Sequence, residues 1–176
     1  MTKQSRSTYL TLSALALAVA AATGSASAAV ATATSTSTVV TPIAISKNAD
    51  LSFGSFAPGG TSGTVTVSPN NTRAVSGGVV ALGSGATAAQ FAVTGQDGST
   101  YSITLGGSTS LTSGSDTMTF TSISDLTASA ATSGNVSSGT LTGGTQTIYV
   151  GGVLDVGANQ AAGTYTGTVT ATVEYN

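Results

Sequence analysis

The chain has 176 residues, of which 4 are Lys or Arg and 6 are Asp or Glu, and it contains no His, Cys or Trp. Without His or Cys it cannot build a Ser-His-Asp triad, a Cys nucleophile, a zinc site of the usual ligands or a disulfide framework. A formal net charge of −2 gives no basic surface for phosphates, so we expect no nucleic-acid partner. We also expect no catalytic residue, metal or cofactor, because the few carboxylates are scattered and no pair of them shares a short motif.

The first segment has the three regions of a secretory signal peptide. Lys3 and Arg6 form a basic start, an apolar run follows over residues 10–22, and residues 26–28 (Ala-Ser-Ala) supply a small-residue cleavage site. An apolar run of about 13 residues is too short to span a bilayer, which needs about 20. We therefore predict that residues 1–28 are removed on export and that the exported protein does not span a membrane.

The segment after the cleavage site changes character at about residue 38. Residues 29–38 are almost entirely Ala, Ser and Thr, which predicts a flexible arm, and residues 39–176 are predicted to form one β-sandwich domain. Pro42 lacks a donor for a sheet ladder and belongs at an edge, a strand start or a bulge. Residues 39–46 therefore fit two interpretations: the first strand of the chain's own sandwich, or part of an arm that adds a strand to another copy's sheet.

Between residues 51 and 156 the sequence alternates apolar and polar residues in short runs bounded by turn residues. A period of two places successive side chains on opposite faces of a strand, so each run predicts a strand. Residues 95–98 (Gly-Gln-Asp-Gly) separate two such runs and predict a hairpin. Gly151-Gly152 separates another two and predicts either a tight turn or a bulge within one bent strand. The predicted strands are residues 51–56, 64–68, 90–93, 101–105, 118–123, 147–150 and 153–156.

The last segment, residues 163–176, has the most regular alternation. One face holds Tyr, Gly, Val and Ala, and the other holds threonines and one glutamate, which predicts one long strand with an apolar inner face. No segment favours a helix of useful length. We therefore predict an all-β, antiparallel β-sandwich, with a barrel as the lesser alternative.

Two short motifs carry a resemblance to a known family. They are the L-x-F-G motif at residues 51–54 and the G-x-Y-x-G motif at residues 163–167, supported by residues 39–43 and 158–163. Over nearly the whole of the exported chain, the sequence resembles domain-of-unknown-function family 4402 of secreted bacterial proteins. At its two ends it is also similar to the spore coat protein U-like domain of archaic chaperone–usher pilins, because Tyr175 is penultimate and Gly163 is fourteenth from the end.

The similarity to pilins implies an incomplete immunoglobulin-like sandwich completed by strand donation. A periplasmic chaperone would complete it first, and the N-terminal arm of the next subunit, residues 29–45, would then replace the chaperone at an outer-membrane usher. Tyr165, Val169, Val173 and Tyr175 would line the groove or core, and the Asn176 carboxylate would contact the chaperone. The residues implied in subunit or chaperone contact are Val39, Ile43, Ile45, Gly163, Tyr165, Val169, Val173, Tyr175 and Asn176.

The implied function is that of a secreted structural protein which passes through the periplasm to the cell surface or the extracellular space. It would be a pilin-like (fimbrial) subunit or an extracellular matrix component with a role in adhesion or biofilm, and its partners would be other copies of itself or related subunits. Two alternatives stay open. One is a self-complete sandwich in which residues 39–46 form its own edge strand. The other is the function of a monomeric adhesin or a carbohydrate-binding module.

Overall fold

The computed structural model describes residues 28–176, so the predicted signal peptide lies outside the described residues except for Ala28. The chain divides into two units, Met1–Ser37 and Thr38–Asn176. In the first unit, residues 28–37 have no regular secondary structure and their side chains are exposed. Among the described residues there is no helix capable of crossing a membrane.

The described residues form twelve β-strands and no helix, which confirms the predicted all-β class. Successive residues of a strand point to opposite faces, and in most strands one face is turned to the core and the other to solvent. Apolar and polar side chains therefore alternate along these strands. The strands are β1 (Ala44–Ala49), β2 (Ser55–Ala57), β3 (Gly63–Val67), β4 (Arg73–Gly77), β5 (Val80–Leu82), β6 (Ala89–Thr94), β7 (Thr100–Gly107), β8 (Ser110–Ser113), β9 (Asp116–Asp125), β10 (Ser138–Thr140), β11 (Thr145–Val156) and β12 (Val169–Tyr175).

Seven strands form a large antiparallel sheet around the long strand β11. Along one edge, β11 pairs with β6 through residues 145–150 and with β3 through residues 152–156. Along its other edge it pairs with β9 through residues 149–154. The sheet continues from β6 to β1, from β3 to β4 and from β9 to β8.

The continuity of β11 shows that the tight turn predicted as one option at Gly151-Gly152 is wrong. The other option, a bulge within one strand, is correct in that β11 runs as a single strand through both glycines, but the pairing with β9 shows no register shift there, so that edge has no bulge. Glycine is required here by close neighbours. A Cβ on Gly151 would overlap the carbonyl oxygen of Val67, and a Cβ on Gly152 would lie 2.7 Å from the carbonyl oxygen of Thr121.

The predicted hairpin across residues 95–98 is also wrong, because β6 and β7 belong to different sheets. β7 lies between β10 and β12 in a three-stranded sheet, whereas both edges of β6 are occupied by β1 and β11. Val93 of β6 and Tyr101 of β7 are buried in the same apolar cluster. The turn therefore carries the chain from one layer of the sandwich to the other.

The last strand is shorter than predicted, since β12 begins only at Val169. Its partner β7 ends at Gly107, where a φ of +116° turns the backbone away. The preceding residues 163–168 lie near β8 instead, and Thr166 forms an isolated bridge with Thr112. The chain leading into β12 thus contacts a strand of the large sheet before it joins the small one.

The three-stranded sheet packs against the large sheet, which confirms the predicted β-sandwich. Apolar residues of β6 and β11 meet those of β7 in one core cluster, and a second cluster lies against β3, β9 and the end of β11. A two-stranded sheet of β2 and β5 lies apart from both.

The order of the principal strands is that of an immunoglobulin sandwich, whose sheets are ABED and CFG. One sheet contains β1-β6-β11-β9 and the other contains β7-β12. When β1, β6, β7, β9, β11 and β12 are lettered A to F in chain order, the first sheet reads ABED and the second reads CF. The described residues contain no strand in the place of G, which would lie beside β12.

Candidate functional site

A groove runs along the side of the sandwich where β1 and β12 end their sheets. We call it the open groove: one wall is β1 with residues 50–58, and the other is residues 160–168 with β12. It contains a cavity of about 400 Å³ between the end of β1 and the beginning of β12, and a cavity of about 710 Å³ beyond it. Leu51 and Leu111 line both cavities, so the two form one furrow.

The two walls run in opposite directions. At the near end of the groove, Tyr175 of β12 lies beside the residues that lead into β1. In the middle, residues 167–169 line the smaller cavity together with residues 47–51. At the far end, residues 160–165 face residues 51–58 across the larger cavity.

Both walls present unpaired sheet edges to the groove. Within the described residues, β12 pairs only with β7 and β1 pairs only with β6. The N–H and C=O groups on the outer edge of β12 therefore lack a strand partner, which makes this edge a template for another extended chain.

The side chains that point inward from the walls are only half-buried. They pack against the core cluster that contains the fully buried Val93, Tyr101 and Ile148, yet part of each remains open to solvent. Their position explains the difference, because β1 and β12 are edge strands with a neighbour on one side only, whereas the inner strands have neighbours on both edges. The half-buried set is Ile43, Ile45, Val169, Ala171, Val173 and Tyr175.

The L-x-F-G motif forms the far wall on the β1 side. Leu51 is half-buried and Phe53 is buried, with its ring perpendicular to that of Phe120 at a centroid distance of 6.0 Å. Gly54 has a φ of +69°, a conformation that favours glycine. The motif therefore combines two apolar groove residues with a backbone turn that a larger residue would strain.

The G-x-Y-x-G segment forms the opposite wall and is fixed by its own hydrogen bonds. The Tyr165 hydroxyl donates to the carbonyl oxygen of Ala161 at 2.8 Å and accepts from the Gln160 side-chain amide at 2.8 Å. At the far end, the Asn159 N–H donates to the carbonyl oxygen of Gly59 at 2.9 Å. This bond joins the two walls and closes the groove at that end.

The near end is defined by the Tyr175 hydroxyl. It accepts a hydrogen bond from the backbone N–H of Gln96 at 2.6 Å and donates to the carbonyl oxygen of Thr41 at 2.7 Å. Thr41 lies three residues before β1 in the same unit. Tyr175 therefore ties the residues that lead into β1 to the end of β12.

The structure brings seven of the nine sequence-predicted contact residues to the groove or its border. Val39 is not among them, because its side chain is 93% exposed and lies before β1. Asn176 is exposed beyond β12, where its N–H donates to the carbonyl oxygen of Thr100 at 3.2 Å. The seven are Ile43, Ile45, Gly163, Tyr165, Val169, Val173 and Tyr175.

Sequence reasoning did not identify the floor of the groove. Phe91, Leu111, Met118 and Phe120 lie there, on β6, β8 and β9. Alternation placed three of these positions within predicted strands, but a local pattern does not distinguish an apolar side chain beneath a groove from one in a closed core.

Neither of the two ionisable groups with shifted pKa values lines the cavities of the groove. The hydrogen bond from the Ser129 hydroxyl lowers the pKa of Asp125, and burial raises the pKa of Tyr101. No group of three or more metal-ligating side chains occurs among the residues that the structure describes. The groove therefore offers apolar side chains and backbone hydrogen-bonding groups, which suit an extended polypeptide.

Residues 43–175 match the family model described as Domain of unknown function (DUF4402), and the chain belongs to that family. This confirms the family resemblance seen in the sequence. The matched span begins at Ile43 and ends at Tyr175, so it includes both walls of the open groove and excludes the exposed segment before it. No curated protein matches the chain significantly.

Proposed function

We propose that the protein is a secreted bacterial structural protein whose copies associate by β-strand addition, with an extended segment of one copy lying in the open groove of another. The principal support is the empty place beside β12, where an immunoglobulin sandwich has strand G. A strand placed there would pair with the free edge of β12 and cover half-buried apolar side chains, and both changes are favourable.

The proposed donor is residues 29–40 of a second copy. This segment is exposed, and residues 31–38 alternate Ala or Ser with Thr before Val39 and Val40, so it has the period of a strand, and none of its side chains is charged. Its 12 residues (40 − 29 + 1) are one fewer than the 13 of the wall segment 163–175 (175 − 163 + 1). At about 3.3 Å per residue, the donor would extend over about 40 Å and the wall segment over about 43 Å.

We further propose that the protein is exported through the periplasm and acts at the cell surface or outside the cell, as a pilin-like subunit or a matrix component in adhesion or biofilm formation. An uncovered apolar groove favours unwanted association during transit. A periplasmic chaperone that covers the groove would prevent this association, and the chaperone would be replaced by the donor segment at an outer-membrane usher. We propose no catalytic activity.

The decisive experiment compares Ala171→Lys with the matched control Thr172→Lys in the purified protein. Ala171 faces the groove and is half-buried, whereas Thr172 is exposed on the opposite face of β12. In A171K the lysine stem would fill part of the groove while its ammonium group reaches solvent, so the domain would fold but a donor strand would be excluded. We expect the melting temperatures of both variants to stay within about 5 °C of the original.

Self-association is measured by sedimentation velocity over a concentration series. We expect the dissociation constant to rise by about 100-fold in A171K and by less than about threefold in T172K. If A171K associates as strongly as T172K, the groove is not the contact and the proposal is wrong. If the original protein stays monomeric up to about 200 μM, a monomeric adhesin or carbohydrate-binding module becomes the better interpretation.

A further inference from the structure

We infer that Arg73 is a positioning residue of the open groove: it holds the wall formed by Phe53–Ser55 at the distance that keeps the groove open. Its Nη1 donates to the carbonyl oxygens of Phe53 at 3.2 Å and Ser55 at 3.1 Å. Its Nη2 donates to the carbonyl oxygens of Leu82 at 3.4 Å and Gly83 at 2.5 Å. This inference rests on the proposed function of the groove.

The guanidinium is held by carbonyl groups and not by a carboxylate. In the described part of the chain, the one ion pair is that of Lys47 with Asp50, and Arg73 takes no part in it. All four of its contacts are backbone oxygens from two separate segments, the groove wall and the end of β5. A planar group with a fixed fork of donors suits this task, because it bridges several acceptors in one geometry.

Arg73 is placed to join the groove wall to the large sheet. It begins β4 and pairs with Val67 of β3, which is buried in the sheet. The wall itself has few other attachments: β2 pairs only with the short strand β5, and Ser52 forms a single bridge with Thr87. The four hydrogen bonds of Arg73 therefore fix a segment that lies outside the main ladders.

The position of Gly54 supports this role. Besides its positive φ, a Cβ at Gly54 would lie 2.5 Å from Nη1 of Arg73. Because glycine has no Cβ, the guanidinium has room to lie next to the backbone of the wall. The last residue of the L-x-F-G motif is explained by the Arg73 contact, and the first and third residues, Leu51 and Phe53, line the larger cavity.

Lysine cannot reproduce this contact, because one ammonium nitrogen cannot reach carbonyls of both segments as a fork does. In Arg73→Lys we expect the wall to loosen and to settle over the apolar floor at Leu111 and Met118. The groove would then be narrower although the sandwich remains folded, since the four hydrogen bonds of the guanidinium go to the wall and to the end of β5 and not to β6 or β11.

The test uses hydrogen exchange with mass spectrometry, together with the self-association measurement, on the full protein, on Arg73→Lys, which keeps the positive charge, and on Arg73→Gln, which removes it. In both Arg73 variants we expect amide exchange over residues 51–57 to become about tenfold faster, while β6 and β11 keep their protection. We expect self-association to weaken by about tenfold in both, because the fork of hydrogen bonds is lost in both whether or not the charge is kept.

Two results would overturn the inference. Unchanged exchange over residues 51–57 in both Arg73 variants would show that the wall does not depend on the guanidinium. An equal rise in exchange across β6 and β11 would show that Arg73 stabilises the whole fold and has no particular role at the groove. Failure of the proposed function is a separate result, because the original protein would then not associate at all, whatever the exchange pattern of the variants.

Discussion

Replacing Tyr175 by Phe removes one oxygen atom from the near end of the open groove. That oxygen accepts from the Gln96 N–H at 2.6 Å and donates to the Thr41 carbonyl at 2.7 Å. Because Gln96 is half-buried, loss of its acceptor leaves a poorly solvated N–H, and the two lost bonds together cost about 2 kcal/mol. For a domain of 139 residues (176 − 38 + 1), this corresponds to a fall in melting temperature of about 6–8 °C.

The measurement is urea unfolding followed by far-ultraviolet circular dichroism, with Tyr149→Phe as the matched control. Within the described residues the Tyr149 hydroxyl makes no hydrogen bond, although its side chain is also half-buried, so the control should lose less than about 0.5 kcal/mol. We expect an unchanged denaturant slope in both variants, since neither alters the surface exposed on unfolding. The reasoning is refuted if Y175F is no less stable than Y149F.

Two further predictions concern the scaffold. Gly152→Ala should destabilise the domain by about 3 kcal/mol, because the new Cβ would lie 2.7 Å from the Thr121 carbonyl oxygen in a strand paired on both edges. The control is Gly60→Ala, where the new Cβ would have no neighbour within 4 Å. It should change stability by less than about 0.5 kcal/mol in the same urea assay. Asp125→Asn should lower the melting temperature at pH 6, and should lower it by less as the pH falls below about 4. The Ser129 hydroxyl lowers the pKa of Asp125 in the folded state, so its carboxylate stabilises the fold above the usual carboxyl pKa near 4, and this stabilisation is lost as the pH falls through the folded value. A Gly60→Ala loss equal to that of Gly152→Ala would contradict the first argument, and an Asp125→Asn effect as large at pH 2 as at pH 6 would contradict the second.

The strands could be predicted from the sequence because their period is a local property. A buried face requires an apolar residue at every second position, and β9 shows this with Met118 and Phe120 buried and Thr119 and Thr121 exposed. The alternation has no information about which strand lies beside which. It therefore predicted β9, and most of β11 as two strands, but not that β11, which begins 20 residues later (145 − 125), lies beside β9.

The wrong hairpin has the same physical origin. Residues 95–98 contain the glycines and polar residues of a turn, and a turn is present. Whether the chain returns to the same sheet depends on the free edges of β6, and those are taken by strands from distant parts of the sequence. The side chains of Val93 and Tyr101 face each other across the core, an arrangement that alternation permits equally well as pairing within one sheet.

The candidate site was only partly predictable, for a related reason. The groove-facing residues of β12 follow from its alternation, but Arg73 stands alone in a polar stretch with no motif around it. Its four backbone acceptors come from residues 9 to 20 positions away. Backbone carbonyls are present at every residue and leave no trace in the sequence, so a clamp of this kind becomes visible only in three dimensions.

The two edges that border the groove differ in how well they are protected against pairing. Natural sheets protect exposed edges with lysine, proline or a bulge. β1 has Lys47 and a register shift between Lys47 and Ala49, both of which oppose a new strand. β12 has neither proline, lysine nor a register shift, and its only charge is Glu174 near its end. A strand that enters the groove should therefore extend the three-stranded sheet at β12 and contact β1 through side chains alone, which is the position of strand G in a complete immunoglobulin sandwich.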